Sequence, residues 1–350
     1  MLAIGAAQFK LLERLCNAVG VSGEEGEVRK IVLDEVRPFA DEVKVDSLGS
    51  VLVTRRGTGR NRPRVLLDAH MDEVGLMIVA DEGDGIYRFQ TVGSIDSRQL
   101  SGKQVLVGRD HTPGIIGATP IHMLGAEAYR RKVGIDSLRI DLGPGGSASV
   151  GDRAAFATRL RRAGPSILAK AIDDRIGVAI LIELLKHAPR NVDLCLAFSV
   201  QEEVGLRGAG VAAHYFSPDM AFAIDSTPAR DLPVHDGREN IFYNTKLGLG
   251  PAIHVSDKYT LHDPGLVRFL QETAERSGIP YQLRQPGGGG TNSGAIQPAL
   301  AGIPAVSVSV PHRYTHSAIS ISRVDDWKHT LNLLHTSLGG VTKDLVALRA

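Results

Sequence analysis

Two glutamates, Glu202 and Glu203, stand side by side in SVQEEVGLRG (199–208), at the end of the apolar run VDLCLAFSV. Adjacent carboxylates repel, and beside an apolar core each also loses hydration, so the pair costs stability unless cations or protons compensate. Four other places put acids or histidines just past a predicted buried strand or at a helix start. They are DAHMDEVG (68–75), AIDDRIG (171–177), AIDST (223–227) and PHRYTHS (311–317). Singly, each has an ordinary explanation: His70 as a hydrogen-bonded core histidine, Asp173 as a helix cap, the glutamates and Asp225 as loop or turn acids, and His312 and His316 as surface residues. Together they leave several acids at one edge of a sheet, and divalent ions remove that difficulty. A carboxylate bridging two ions, with one histidine and one carboxylate for each, would neutralise the charge and use these residue types. Nitrogen and oxygen donors suit zinc, cobalt or manganese, while histidines argue against magnesium and calcium. Adjacency lets only one glutamate point at the ions. The other is free to act as general base on a water whose pKa the ions lower towards about 7.

Positioning such residues requires neighbouring strands that end together, as in open α/β sheets, where groups at the carboxyl ends converge on one crevice. The sequence reads that way. An N-terminal amphipathic helix in MLAIGAAQFKLLERLCNAVG is followed by a second helix, for which Ser22 reads as the cap. A strand pair in DEVKVDSLGSVLVTRRG and the buried strand VLLDA lead to His70. From about 75 to 165 the texture changes to short β-like runs (GLMIVA, GIYRFQTV, QVLVG, GIIGA, LRIDLG, DRAAFAT) separated by Gly, Asp, Ser and Pro. Helix and buried-strand alternation then resumes with AIDDRIGVAILIELLKHA, VDLCLAFSV, MAFAID, a helix in LVRFLQETAERSGI, the strand IPAVSVSV and a last helix from about Asp325. The expectation is an α/β/α sandwich with a mixed sheet and an inserted, small, β-barrel-like domain. The catalytic part spans 1–70 and 165–350, and the β-rich insert spans 71–164.

Composition narrows the classes. Of 350 residues, 43% are hydrophobic and 5% aromatic, enough for a large core. Forty Lys and Arg balance 39 Asp and Glu, so no net field draws the chain to nucleic acid or an anionic membrane. No apolar run is long enough to span a bilayer and the N-terminus lacks a signal-peptide pattern. Cys16 and Cys195 read as small buried hydrophobes, which together with these features places the chain in a reducing cytoplasm.

In order along nearly the whole chain, DAHMDEVG, the β-rich insert, KAIDDRIG, QEEVGLRGA, AIDST, GGGGTNSGAIQ and RYTHS resemble the motifs of the tetrahedral aminopeptidases, a family of dinuclear metallopeptidases that includes glutamyl and deblocking aminopeptidases. The resemblance implies metal ligands at His70, Asp173 (bridging), Glu203, Asp225 and His316, with Asp72 orienting His70 and Glu202 as the general base. Asp174 and His312 are not matched as ligands. It implies a metal-dependent aminopeptidase with two divalent ions per subunit, zinc first and cobalt or manganese next, which releases N-terminal residues from short peptides through a metal-bound hydroxide. It also implies a homo-oligomer, dimers formed through the insert and building a tetrahedral dodecamer. Other dinuclear amidases, a deacylase or a carboxypeptidase, use the same metals on a different substrate end. A glycosidase would need paired carboxyls about 5 to 9.5 Å apart and no metal, and few aromatics are available for sugar stacking. One departure stands out: Thr291 is followed by Asn292, where the family commonly has aspartate. This removes a negative charge near the expected substrate pocket, or else merely alters a turn.

Overall fold

The computed structural model describes residues 1–125, 133–238, 240 and 244–347. The chain opens with two helices, α1 (Ala6–Asn17) and α2 (Gly26–Val36), whose apolar residues recur at helical spacing and are buried on one side, Leu11, Leu12, Leu15 and Cys16 on α1 and Val28, Val32 and Val36 on α2. Ser22 does not cap α2: the N-cap position is Glu25, and the Ser22 hydroxyl is used elsewhere. Strands β1 (Glu42–Val45), β2 (Val51–Arg55) and β3 (Arg64–His70) follow, and β3 is buried from Val65 to His70.

All six β-like runs of the middle segment form strands. These are β4 (Gly75–Asp81), β5 (Ile86–Val92), β6 (Gln104–Val107), β7 (Thr112–Gly117), β8 (Arg139–Asp141) and β9 (Arg153–Phe156). They close into a barrel in the order β4-β5-β8-β7-β6-β9, and the ring is completed where Leu76 on β4 pairs with Ala154 on β9. Alternate residues, among them Leu76, Ile78, Tyr87, Phe89, Val105, Val107, Ile140 and Phe156, point inward and form a core of their own.

Beyond the barrel, β10 (Arg161–Ala163) and β11 (Ser166–Ala169) return the chain to the large sheet. There follow helix α3 (Ile172–Lys186), β12 (Asp193–Ser199), α4 (Arg207–Phe216), β13 (Met220–Pro228), β14 (Ala252–His254), α5 (Pro264–Ser277), β15 (Gln282–Arg284), the short α6 (Ser293–Ile296), β16 (Ala305–Arg313), β17 (Ser320–Arg323) and α7 (Val324–Gly340). The 11-stranded sheet runs β1-β2-β12-β3-β13-β16-β17-β11-β10, with β14 paired to β16 and β15 to β14. Its centre, β12, β3, β13 and β16, is parallel, and antiparallel strands complete both flanks, so the sheet is mixed. Period-2 alternation sends Val65, Leu67 and Ala69 of β3 to a core shared with α1, α2, α3, α5 and α7, while Leu66 joins Cys195, Ala197 and Ala221 under α4 and α6. The fold is thus the expected α/β/α sandwich with a β-barrel inserted between β3 and β10. Both cysteines are free and buried.

Candidate metal centre

The four parallel strands end together, and the acids and histidines gather at that edge. His70 is the last residue of β3, Asp225 lies within β13, Glu202 and Glu203 follow β12, and His316 sits in the loop after β16. Asp173 opens α3 against this edge. Three of the turns that present these groups carry a non-glycine residue in the left-handed region, Ala171 (φ 52), Gln201 (φ 58) and His316 itself (φ 54). Such backbone costs roughly 1–3 kcal/mol per residue and persists where surrounding contacts fix it.

Asp173 is at the middle. Its Oδ1 is 3.2 Å from His70 Nε2, which in turn is 3.9 Å from Asp225 Oδ1. Its other oxygen, Oδ2, is 3.5 Å from His316 Nε2, and that nitrogen is 3.1 Å from Glu203 Oε2. The donor atoms of His70, Asp173 and Asp225 lie within 4.8 Å of one another, and so do those of Asp173, Glu203 and His316. Two sets of nitrogen and oxygen donors therefore share one carboxylate.

Behind them, Asp72 is fully buried and ties the site together. It accepts from the backbone N–H of Glu202 (3.0 Å) and Glu203 (3.2 Å) and from the Ser22 hydroxyl (2.6 Å). The Nδ1 of His70 lies 3.2 Å from the Asp72 carbonyl and 3.4 Å from its carboxylate, which turns Nε2 towards Asp173. Asp174, by contrast, folds back to accept from Gly177 N at 3.1 Å. His312 is buried and bonded to Thr315 Oγ1, outside both donor sets. Burial pushes its pKa down to about 4.

The electrostatics are those of an acid cluster short of positive charge. Burial, with Asp173 next, pushes the Asp225 carboxyl well above its usual range, and burial with Asp225 and Glu203 does the same to Glu202 against the pull of His70. Glu203 is also raised, chiefly by burial. Burial opposes a charged imidazole, yet the bonds to Asp173 and Asp72 hold His70 well above its usual value, and those to Asp173 and Glu203 lift His316 to about 11. Without ions, protons neutralise the cluster. A donor set of two imidazoles and three carboxylates that can be neutralised only by taking up protons fits divalent ions of the zinc kind.

Sequence reasoning missed three supports. Ser22 reaches Asp72 from fifty positions upstream. Buried Glu73 is gripped by Lys170 (2.6 Å) and Arg175 (3.2 Å), which also bond to main-chain carbonyls of residues 15, 18 and 71. Asn292 is not among the residues that line the cleft: it is 3% exposed, and its amide donates to Asp68 (2.5 Å) and Ser199 (2.9 Å) inside the fold. The cleft above the donors, about 430 Å³, is walled by Lys258, Tyr259, Arg284 and Gly288 to Gly290.

A mixed α/β sandwich carrying a closed barrel, with two donor sets meeting at one aspartate on the sheet edge, has the layout of a hydrolytic enzyme. Its residues 49–333 match the description of the M42 glutamyl aminopeptidases. The chain is 30% identical over 359 residues to the glutamyl aminopeptidase of Lactococcus lactis, covering 97% of this chain and 98% of that one. Among solved structures it is similar to the aminopeptidase APDkam598 of the archaeon Desulfurococcus kamchatkensis (TM-score 0.92, 32% identity, 98% of each chain). It is also similar to the TET1 peptidase of Pyrococcus horikoshii (TM-score 0.82, 32% identity, 94% of this chain and 98% of that one), which can assemble into a tetrahedron or a large octahedral shell. The chain belongs to the M42 glutamyl aminopeptidase family of metallopeptidases, and it is a peptide-bond hydrolase.

Proposed function

We propose that the protein is a dinuclear metallo-aminopeptidase that removes N-terminal residues from short peptides. One observation carries the reading: the two oxygens of Asp173 face two different histidine–carboxylate pairs. His70, Asp173 and Asp225 would hold one ion, and Asp173, Glu203 and His316 the other. Zinc suits the donors first, cobalt and manganese next. Bound ions supply the charge that keeps the acids ionised, polarise the scissile carbonyl and lower the pKa of a water.

Glu202 is the proton carrier in this reading. Its backbone is fixed by Asp72, its side chain lines the cleft, and it belongs to neither donor set. It takes a proton from the attacking water and passes it to the nitrogen of the departing peptide as the C–N bond breaks. Asp72 serves as a positioning residue, holding both His70 and the Glu202–Glu203 backbone. The likeness to TET1, seen as a dodecamer and able to form a tetrahedron or a large octahedral shell, supports a homo-oligomer, which we read as dimers building a tetrahedral dodecamer. Among the described residues no helix is long and apolar enough to cross a membrane. The two unpaired buried thiols support a reducing cytoplasm.

Replacing Glu202 by Gln tests the assignment, because it removes the proton carrier while leaving both donor sets intact. The variant is expected to retain the metal content of the wild type and to lose about 10²–10⁴-fold in kcat on a leucyl-anilide, the usual contribution of a general base. Unchanged turnover would refute the role. Cleavage of an acetylated peptide in place of a free one would move the protein to the deacylases.

A further inference from the structure

Beyond the cluster under Asp173, a second set of donors lies in the wall of the cleft. We infer that the loop from His254 to His262 binds an additional divalent cation of the zinc kind between His254, Asp257 and His262. The site shares no residue with the two donor sets proposed above.

The three side chains come from one short stretch that leaves β14 and returns towards α5, and one donor atom from each lies within 4.8 Å of the others. Both histidines are buried, at 1% and 4% exposure, and their rings stand perpendicular with centroids 5.5 Å apart. The polar atoms here are short of partners. His254 uses Nε2 on Ser309 Oγ (2.8 Å) and leaves Nδ1 with none. Neither ring nitrogen of His262 has a hydrogen-bond partner, and Thr260 Oγ1 has none either. Four polar atoms of this one loop are thus buried without partners, and buried polar groups are as a rule satisfied by protein, ordered water or an ion.

Three features favour a cation. First, His262 Nε2 is 3.4 Å from Asp257 Oδ2. That is wider than an N–H···O bond, but it is the edge expected between two ligands held tetrahedrally at about 2.0–2.1 Å from zinc. Second, the Ser309 hydroxyl occupies Nε2 of His254, which leaves the buried Nδ1 as the ring nitrogen free to meet an ion. Third, the outer partners that orient metal ligands are in place. Ser309 fixes the far nitrogen of His254, and Asp257 is held by the backbone N–H of Tyr259 (2.9 Å) and Thr260 (2.8 Å) and by the Thr291 hydroxyl (3.1 Å). Arg284 is the opposing charge nearby. Its guanidinium donates to Thr227 Oγ1, Ser256 O and Gly288 O.

The consequence is mechanical. Tyr259, in the middle of the loop, packs over Gly290 and Gly294, where a side chain would meet its ring at Gly290 and its Cβ at Gly294. A cation tying His254, Asp257 and His262 together would fix this wall of the substrate cleft from behind, in the manner of a structural zinc site.

The test uses the zinc-loaded, desalted full-length protein. Zinc per subunit is measured by elemental analysis in the wild type and in His262→Gln, and an anomalous difference map at the zinc edge is collected from wild-type crystals. The expected result is one equivalent fewer in the variant and an anomalous peak within bonding distance of His254, Asp257 and His262. Equal stoichiometry, or a map with only a water-sized feature there, overturns the inference. If His262→Gln does not fold, Asp257→Asn replaces it, and the wild-type map decides by itself. Peaks at Asp173 appear or fail independently, so the dinuclear reading and this one are judged separately.

Discussion

The most exacting perturbation of the candidate centre is Asp72→Asn, because it preserves shape and removes one acceptor. Three donors converge on the two oxygens of Asp72: Ser22 Oγ, Glu202 N and Glu203 N, at 2.6, 3.0 and 3.2 Å. With its single oxygen facing Glu202 N, an asparagine puts its NH₂ towards Ser22 and Glu203. The serine hydroxyl can rotate to accept, but the Glu203 amide cannot, and a buried unpaired N–H costs about 1–3 kcal/mol. Weakening the remaining bond from charge-assisted to neutral adds about 1 kcal/mol, for a total of roughly 2–4 kcal/mol. For a chain of this size an unfolding entropy of about 2 cal/mol/K per residue converts that to a Tm lower by about 3–6 °C. The loss also frees the Glu203 main chain and removes the negative charge beside His70 Nδ1, whose bond to the Asp72 carbonyl remains, so ion affinity is expected to drop about 10- to 100-fold. A thermal melt and a competitive chelator titration measure the two effects, with Ser22→Ala as a one-bond control at about 1 kcal/mol. A Tm within 1 °C of wild type together with an unchanged chelator midpoint would refute the claim that Asp72 organises the site.

His316→Ala is expected to lower bound metal by one equivalent per subunit in elemental analysis, and retained stoichiometry would remove His316 from the donor set. In the ion-stripped protein, Asp225, Glu202, Glu203, His70 and His316 all bind protons more tightly folded than unfolded. Folded-state stability should therefore fall as pH rises: the carboxyl contribution fades above about 4 and the histidine contribution above about 6.5. Asp173, held low, works in the opposite direction but only below its ordinary range. A stripped sample whose Tm climbed from pH 5 to pH 9 would contradict this, and saturating zinc should flatten the profile. Asn292→Asp should destabilise by about 1–3 kcal/mol, more at pH 8 than at pH 6, because it sets a second buried acid against Asp68, whose own pKa burial raises to about 7. The ratio of lysyl to leucyl cleavage should not move, and a change in that ratio would place Asn292 against substrate after all.

The sequence was legible where a local pattern decides the outcome. The apolar runs of β3, β12, β13 and β16 mark buried strands, and their polar ends mark one sheet edge, so His70, Glu202, Glu203 and Asp225 could be grouped before any fold was known. The six short runs of the insert likewise became six strands. Their order round the barrel could not be read, since pairing β5 with β8, and β9 with β6 and β4, joins strands that are not neighbours in sequence. Ser22 looked like a cap because serine before an acidic turn usually is one, yet a buried carboxylate fifty residues away bids higher for the hydroxyl than a helix terminus does. Asn292 stood out because the family commonly has aspartate there, near the expected substrate pocket, with a structural turn as the alternative; its side chain is bonded inside the fold. The Glu73, Lys170 and Arg175 cluster left no trace in spacing, because Glu73 lies in DAHMDEVG while both cations lie in KAIDDRIG, 97 and 102 positions further on.

That cluster also dictates an order of events during folding. Lys170 and Arg175 anchor on carbonyls 152 to 160 positions earlier in the chain. Contacts of such span form only after a long loop has been closed, and the barrel is the material of that loop. On a nascent polypeptide the segment from His70 to Glu73 is therefore expected to gain these anchors only once the start of α3 has been synthesised and has docked, which would place the centre late in folding.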